Sequence, residues 1–373
     1  MIRFKIAIFI TALAICCSPA WSQTTDSDLK MFGYFQVSLT HQKDLPSENA
    51  VNSFQVQQLN IFLQKNLTTN WTAFINFEFL NSYSSFRNWG AHNLEEAWVS
   101  YRRSNQFKLK LGLQVPPFNN LNEIKNRTPL LPYIIRPLAY ESSFNEIIAI
   151  EEFVPARAFV QIYGFIPWDK AKVEHAFFIG NSPNINNDPE RGQTGVDSTN
   201  TFLFGGRLGL RFLNFKAGVS ATFDDLDFSF LADTFLADTL NYPLTRLRKV
   251  PRIRLGGDFS FNVGKFSGEA EIIRVTYDDD HPDFNVDKEF FYGTLGYSFS
   301  EKLFLYGSYW ATRENYHPVT DQDIDVFNGG ASFALFDSLV LKAQYARVKI
   351  ANSRQVPHEF DFDYYTLALS VVF

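Results

Sequence analysis

The chain has 373 residues, of which 46% are hydrophobic, 20% charged and 17% aromatic, with 40 Phe, 2 Cys and a formal net charge of -6. So much apolar and aromatic side chain must be buried somewhere, which excludes disorder, and the acidic balance argues against nucleic acid as a partner. No apolar run of about 18 or more residues follows the N-terminus, which excludes a multi-span helical membrane protein.

Met1 to Ser22 reads as a secretory signal. Arg3 and Lys5 give the positive start, Ile6 to Cys17 an apolar stretch too short to span a bilayer, and Ala20 and Ser22 the small residues before a cut at Gln23. A buried first helix is the alternative. Ile15 stands before Cys16 where a lipoprotein site wants Gly or Ala, so lipid anchoring is not expected. Cys16 and Cys17 leave with the signal, so residues 23–373 offer no disulfide, zinc cluster or thiol chemistry. No cofactor or metal is expected.

From Lys30 onward, period-2 alternation dominates. Trp71, Ala73, Ile75, Phe77 and Phe79 alternate with Thr72, Phe74, Asn76 and Glu78. Farther on, Phe202, Phe204, Leu208, Leu210 and Phe212 alternate with Gly205, Arg207, Gly209 and Arg211. The segments predicted as strands are 30–41, 53–65, 70–81, 93–103, 106–115, 156–166, 171–181, 200–212, 215–223, 251–262, 265–277, 289–299, 302–313, 324–335, 338–350 and 362–373. Short turns follow the even strands, as at Ser104-Asn105 and Leu213-Asn214, and long polar loops follow the odd ones.

That alternation predicts an all-β fold, a transmembrane antiparallel β-barrel of sixteen strands with tight periplasmic turns, long extracellular loops and both termini periplasmic. A soluble sandwich has Greek-key crossovers and no reason to sort loop length by parity. Aromatics near both ends of the apolar rows fit interfacial girdles, whereas rows facing a second packed sheet are the competing explanation. The opposite rows, rich in Gly, Ser, Gln, Lys and Arg, are expected to line a wet interior. The final segment, Tyr365, Leu367, Leu369, Val371 and Phe373, resembles the terminal signal read by the outer-membrane assembly machinery.

Several landmarks then fall in a recognisable order. Leu94-Glu95-Glu96-Ala97-Trp98-Val99-Ser100-Tyr101 precedes Leu111-Gly112-Leu113-Gln114-Val115-Pro116-Pro117-Phe118-Asn119 and Ile135-Arg136-Pro137. Pro155-Ala156-Arg157, Phe178-Ile179-Gly180-Asn181, Gly206-Arg207-Leu208 and Tyr292-Gly293-Thr294-Leu295-Gly296-Tyr297 follow. In this order the chain resembles the phosphate-selective porin O/P family over nearly its whole mature length. Ala158 after Arg157 departs from the Arg-Asp usual there. The resemblance implies a trimeric outer-membrane porin.

Strand parity turns Arg102, Lys108, Lys110, Arg157, Lys172, Arg207, Arg211, Lys216, Arg252, Arg254 and Lys342 inward, against the acids Glu78, Glu96, Glu174, Asp258, Glu269 and Glu271. A basic lining favours anions. The acidic runs Asp224, Asp225 and Asp227, Asp278, Asp279, Asp280 and Asp283, and Asp321, Asp323 and Asp325 are read as solvated loop charge. Divalent-cation bridges to lipopolysaccharide and a cation-attracting mouth are the functional alternatives. The long loop 116–155 carries Leu130, Leu131, Ile134 and Ile135 and should fold inward as a constriction, since apolar loop residues are costly in water. Its basic members are Lys125, Arg127 and Arg136, outnumbered by Glu123, Glu141, Glu146, Glu151 and Glu152, which weakens the case for phosphate as solute.

Nothing suggests an enzyme. The six His residues are scattered without a His-x-x-x-His pair, and Gly-x-Ser-x-Gly and phosphate-cradling glycine motifs are absent. The expectation is a passive channel for small hydrophilic solutes with mild anion preference, embedded in outer-membrane lipid and lipopolysaccharide. Transport of hydrophobic compounds or an adhesive, non-conducting barrel is the alternative, marked by a plugged lumen.

Overall fold

The structure, a computed structural model, describes residues 29–44, 50–80, 91–124, 127–140, 153–182, 201–226, 249–278, 286–315, 322–352 and 359–373. Sixteen strands follow one another: β1 Lys30–Asp44, β2 Ala50–Asn66, β3 Trp71–Leu80, β4 Ala91–Arg102, β5 Lys108–Gln114, β6 Ala158–Trp168, β7 Ala171–Asn181, β8 Phe202–Phe212, β9 Phe215–Leu226, β10 Val250–Val263, β11 Phe266–Tyr277, β12 Val286–Ser298, β13 Leu303–Asn315, β14 Gln322–Phe336, β15 Leu339–Asn352 and β16 Glu359–Val372. Each pairs antiparallel with its neighbours in chain order, and β1 closes on β16 through pairs such as Val37↔Leu369. Closure removes the two sheet edges, which is what lets strands cross hydrocarbon with every backbone donor paired. The seam is completed by Gly33 and Phe373, each backbone N–H donating to the other's carbonyl at 2.9 and 3.0 Å.

Every predicted segment lies on one strand. The short turns are stapled locally: the Thr68 hydroxyl accepts from the N–H groups of Asn70 and Trp71, Ser104 from Gln106 and Phe107, and Ser300 from Lys302 and Leu303. In the two-residue turns, Asp169, Leu213 and Gly264 adopt positive φ near 50 to 61°, matching the twist of the strands they join. Parity is plain on β8, where Phe204, Leu208 and Leu210 are exposed while Leu203 and Arg207 are buried.

The described members of two acidic runs lie on strands. Asp224 and Asp225 lie near the end of β9 and are buried, not solvated, and Asp323 and Asp325 lie on β14, on the outward face shared with Phe327. Asp323 and Asp325 join a belt above the apolar band, in which an arginine on one strand meets an acid on the next. Arg274 pairs with Asp287 at 3.1 Å, Arg313 with Asp325 at 2.7 Å and Arg347 with Asp361 at 2.7 Å. The hydroxyls of Tyr309 and Tyr345 donate upward to Asp325 and Asp363. Strand pairing thus runs past the apolar band, since paired charges extend it where an apolar row would stop. Asp227, Asp279, Asp280, Asp283 and Asp321 lie outside the described residues, as does the segment 1–22.

A bulge also changes parity on β4. Asn76 faces Glu96 and Phe77 faces Leu94, so Glu95 is the extra residue and is buried beside Glu96.

Candidate functional site

The interior is organised by the segment after β5. In its described residues, 115–124 and 127–140, the chain lies inside the barrel with short 3-10 turns at Asn122–Ile124, Thr128–Leu130 and Leu138–Tyr140, and most of these residues are buried. Its hydrogen bonds go to the wall. The Glu271 carboxylate accepts from the backbone N–H of Asn120 (2.9 Å) and Leu121 (2.8 Å) and from the Tyr140 hydroxyl (2.5 Å). Burial, followed by the neighbouring Glu271 charge, pushes the Tyr140 hydroxyl well above its ordinary pKa, which keeps it a neutral donor. Tyr133 donates to Glu269. Gln344 accepts from the N–H groups of Ile134 and Ile135 and donates to the Ile135 carbonyl. Asn119 N–H donates to Ser220, and the Asn119 side chain lies against Gly256, where any Cβ would collide with it.

Lys342 completes the seat. The residue is 1% exposed, and its ammonium donates to the Gln36 side-chain oxygen (3.1 Å) and to the carbonyls of Thr128 (2.9 Å), Pro129 (3.2 Å) and Tyr133 (3.3 Å). It points inward, yet it serves as a clasp for the loop and is closed to a passing solute. Of the apolar loop residues, Ile134 and Ile135 are buried and Leu131 packs on the core, whereas Leu130 is 54% exposed and contributes no seat.

One expectation about the lining needs correction. Toward the long-loop end the inward rows of β11–β16 are apolar: Ile273, Val275, Phe290, Trp310, Ile324, Val326, Val348 and Ile350 form one buried cluster with Phe118, Leu121, Leu138, Tyr140 and Phe153. These strands have an apolar row on both faces, because one is the exposed outer face of the barrel and the other seats the loop.

The wall across from that seat is polar and basic. Arg207 is pinned to Asp258 by two bonds of 2.6 and 3.1 Å, and its guanidinium lies over Gly209 and Gly218, where a Cβ would displace it. Glu174 stands among Arg207 (3.6 Å), Arg211 (3.1 Å) and Lys216 (3.7 Å). Arg211 keeps 50% of its side chain exposed, and Lys216 also donates to Asn120 of the loop. Lys108 and Lys110 lie against the rings of Tyr163 and Trp98, while Lys172 is exposed beside Phe165. Arg102 is exposed and donates to Asn105 in its own turn. Arg157 makes a two-point contact with Glu95 at 2.8 and 3.2 Å.

The remaining basic positions divide. Arg252 and Arg254 both face Asp224, at 2.5 and 3.1 Å, and are 2% and 1% exposed, so neither presents charge to solvent. Arg127 is exposed ahead of the second 3-10 turn, Arg136 is buried, and Lys125 lies outside the described residues. Sequence reasoning missed Gln36, Gln57, Glu95 and Gln344. The recurrence of Gln at inward positions of β1, β2 and β15 was the available signal. Among the described residues no group of three His, Cys, Asp or Glu could hold a metal ion.

A closed barrel of this strand number, with a loop laid inside it and a basic wall opposite, invites comparison with known proteins. The model of the Gram-negative porin family matches residues 10–353. The chain belongs to the Gram-negative porin family. It is an outer-membrane channel protein by that membership. Solved structures agree in fold. The outer membrane channel DcaP of Acinetobacter baumannii superposes with a TM-score of 0.61 at 9% identity, over 95% of this chain and 99% of that one. An anion-selective porin from Comamonas acidovorans gives 0.60 at 10% identity, over 93% and 100%. The trimer form of OmpT, an outer membrane protein of Vibrio cholerae, gives 0.56 at 9% identity, over 94% and 100%. A search of curated proteins finds no significant match.

Proposed function

We propose that this porin passes small hydrophilic solutes by diffusion, with a mild preference for anions. The observation that carries the reading is the set of inward cations that keep open surface, exposed Lys172 and Arg211 and half-buried Lys108, on the wall opposite the seated loop. A lysine or arginine with surface open to a water-filled lumen concentrates anions within about a Debye length, roughly 8–10 Å in physiological salt. The described part of loop 116–155 acts as the constriction by occupying the lumen on the β10–β16 side.

The narrower assignment, to phosphate-selective O/P porins, rests on motif order alone. Arg136 adds little to it because it is buried, which leaves Arg127 as the exposed basic residue among the described part of the loop. Phosphate is therefore one transported anion among several in this reading. Residues 1–22 are proposed as the export signal and residues 23–373 as the barrel domain. Phe373 is the point recognised by the assembly machinery, lipid and lipopolysaccharide surround the outer face, and the assembly is a homotrimer, the form in which one structural neighbour was solved. The test is planar-bilayer recording in a salt gradient. Ohmic conductance with a reversal potential shifted toward the anion supports the reading; a non-conducting or cation-selective barrel ends it.

A further inference from the structure

Near the short-turn end, six neighbouring strands carry an unbroken ribbon of rings and ammonium groups on the inner wall. On β1 and β2, Phe32 lies 5.1 Å from Phe62, centroid to centroid. Phe62 is 5.6 Å from Phe74 on β3 with planes 25° apart, and Phe74 is 4.8 Å from Trp98 on β4 at 24°. The Lys110 ammonium then sits 4.7 Å from the Trp98 ring and 5.4 Å from that of Tyr163 on β6. Lys108 stands 5.3 Å from the same Tyr163 ring. The loop anchors fall elsewhere, at Gln57, Ser220, Glu269, Glu271, Lys342 and Gln344.

The chemistry of this ribbon is unlike that of a plain ion path. Phe32, Phe74, Trp98 and Tyr163 keep part of their surface open toward the interior, and open ring surface forgoes about 25 cal/mol for each Å² left in water. A solute with a flat apolar ring recovers that term and meets aromatic edges and faces in offset geometry. Lys108 beside the rings attracts an anionic group on the same solute. Phosphate can use the ammonium groups but gains nothing from the rings, and an organic cation is opposed by the lysines.

We propose that the ribbon is a solute-binding track for small organic anions that carry a planar ring, of the aromatic carboxylate class. This deepens the channel reading and rests on it, since the ribbon must meet solute from the lumen. The test uses the full-length protein with benzoate, acetate and inorganic phosphate as probes. Benzoate is expected to interrupt single-channel current at about tenfold lower concentration than acetate, equivalent to about 1.4 kcal/mol. The double variant Phe74→Leu, Trp98→Leu keeps both positions apolar while removing the rings and should bring that ratio to about one. Lys108→Gln should weaken benzoate and acetate block together.

Equal block by benzoate and acetate in the unaltered protein overturns the proposal, and so does a benzoate preference that survives the double variant. Should the double variant fail to fold, judged by heat-modifiable mobility in gels, Phe74→Leu alone carries the same comparison with a partial loss expected. If the unaltered protein conducts no ions at all, the channel reading fails by itself. Calorimetric titration of the folded protein in detergent then decides the ribbon: benzoate heat lost in Phe74→Leu supports it, and no benzoate heat overturns it.

Discussion

The two inner walls of the barrel use the same residue types for opposite ends. On the β10–β16 side, inward charge is consumed by structure: Lys342 is enclosed by four oxygens of wall and loop, and Glu271 by donors from Asn120, Leu121 and Tyr140. On the β3–β9 side, Lys108, Lys172 and Arg211 keep surface toward the lumen, while burial falls on partnered groups such as Arg207, held to Asp258 of β10 over its glycine floor, and Glu95, held by Arg157. An inward lysine is therefore no sign of selectivity until its partners are known. What separates the two walls is the apolar cluster, which gives the loop somewhere dry to sit and so draws polar groups beneath it into anchoring.

The sharpest way to break this contrast is to remove an anchor. Glu271→Ala strips the acceptor from two backbone N–H groups and the Tyr140 hydroxyl, each costing about 1–3 kcal/mol when left unsatisfied. Limited proteolysis within 116–140 and a step in single-channel conductance should both report an unseated loop; an intact loop at unchanged conductance would refute the anchoring role. Arg207→Ala comes next, because it leaves Asp258 buried and unpaired, a loss of about 3–5 kcal/mol readable in urea unfolding of the refolded barrel. Arg207→Lys should recover only part of it, lacking the two-point fork.

A smaller effect is expected from Gly256→Ala, whose methyl meets the Asn119 side chain; about 1–3 kcal/mol of overpacking should loosen the loop's first turn without touching the basic wall. The triple change Lys108→Gln, Lys172→Gln and Arg211→Gln should leave stability alone and lower anion-over-cation permeability by roughly two- to threefold. Reversal potentials measure it, and an unmoved potential would show that these side chains do not set selectivity. Least of all, Arg313→Ala on the outer belt should cost no more than about 1 kcal/mol and less at high salt, since its partners are partly exposed.

Most of the fold was legible because a strand with one apolar outer face and one polar inner face writes its period into the sequence. Phe202, Phe204, Leu208 and Leu210 against Arg207 and Gly209 admit one orientation, and all the expected segments are strands. The interior was legible only in part. Ile273, Val275 and Trp310 sit on strands apolar on both faces, so alternation could not say that one face would receive a loop. The clasp between Lys342 and Thr128 joins residues 214 apart, and no local pattern announces such a contact. Glu95 became an inward partner of Arg157 through a single extra residue on β4, which a strict two-residue period passes over. The acids Asp323 and Asp325 looked like loop because charge marks the end of an apolar row; it does not mark the end of a strand.

The β1–β16 seam carries a consequence for how the molecule comes into being. Thr40 and Thr366 meet across it although 326 positions separate them along the chain. Every other ladder joins consecutive strands and can form as soon as its hairpin exists, whereas this one must await both extremes of the sheet. Until then the growing sheet has two unpaired borders and a greasy exterior, the state most prone to sticking to its neighbours. Those borders stay open until the ring shuts, so closure of the seam is the last step that protects the sheet.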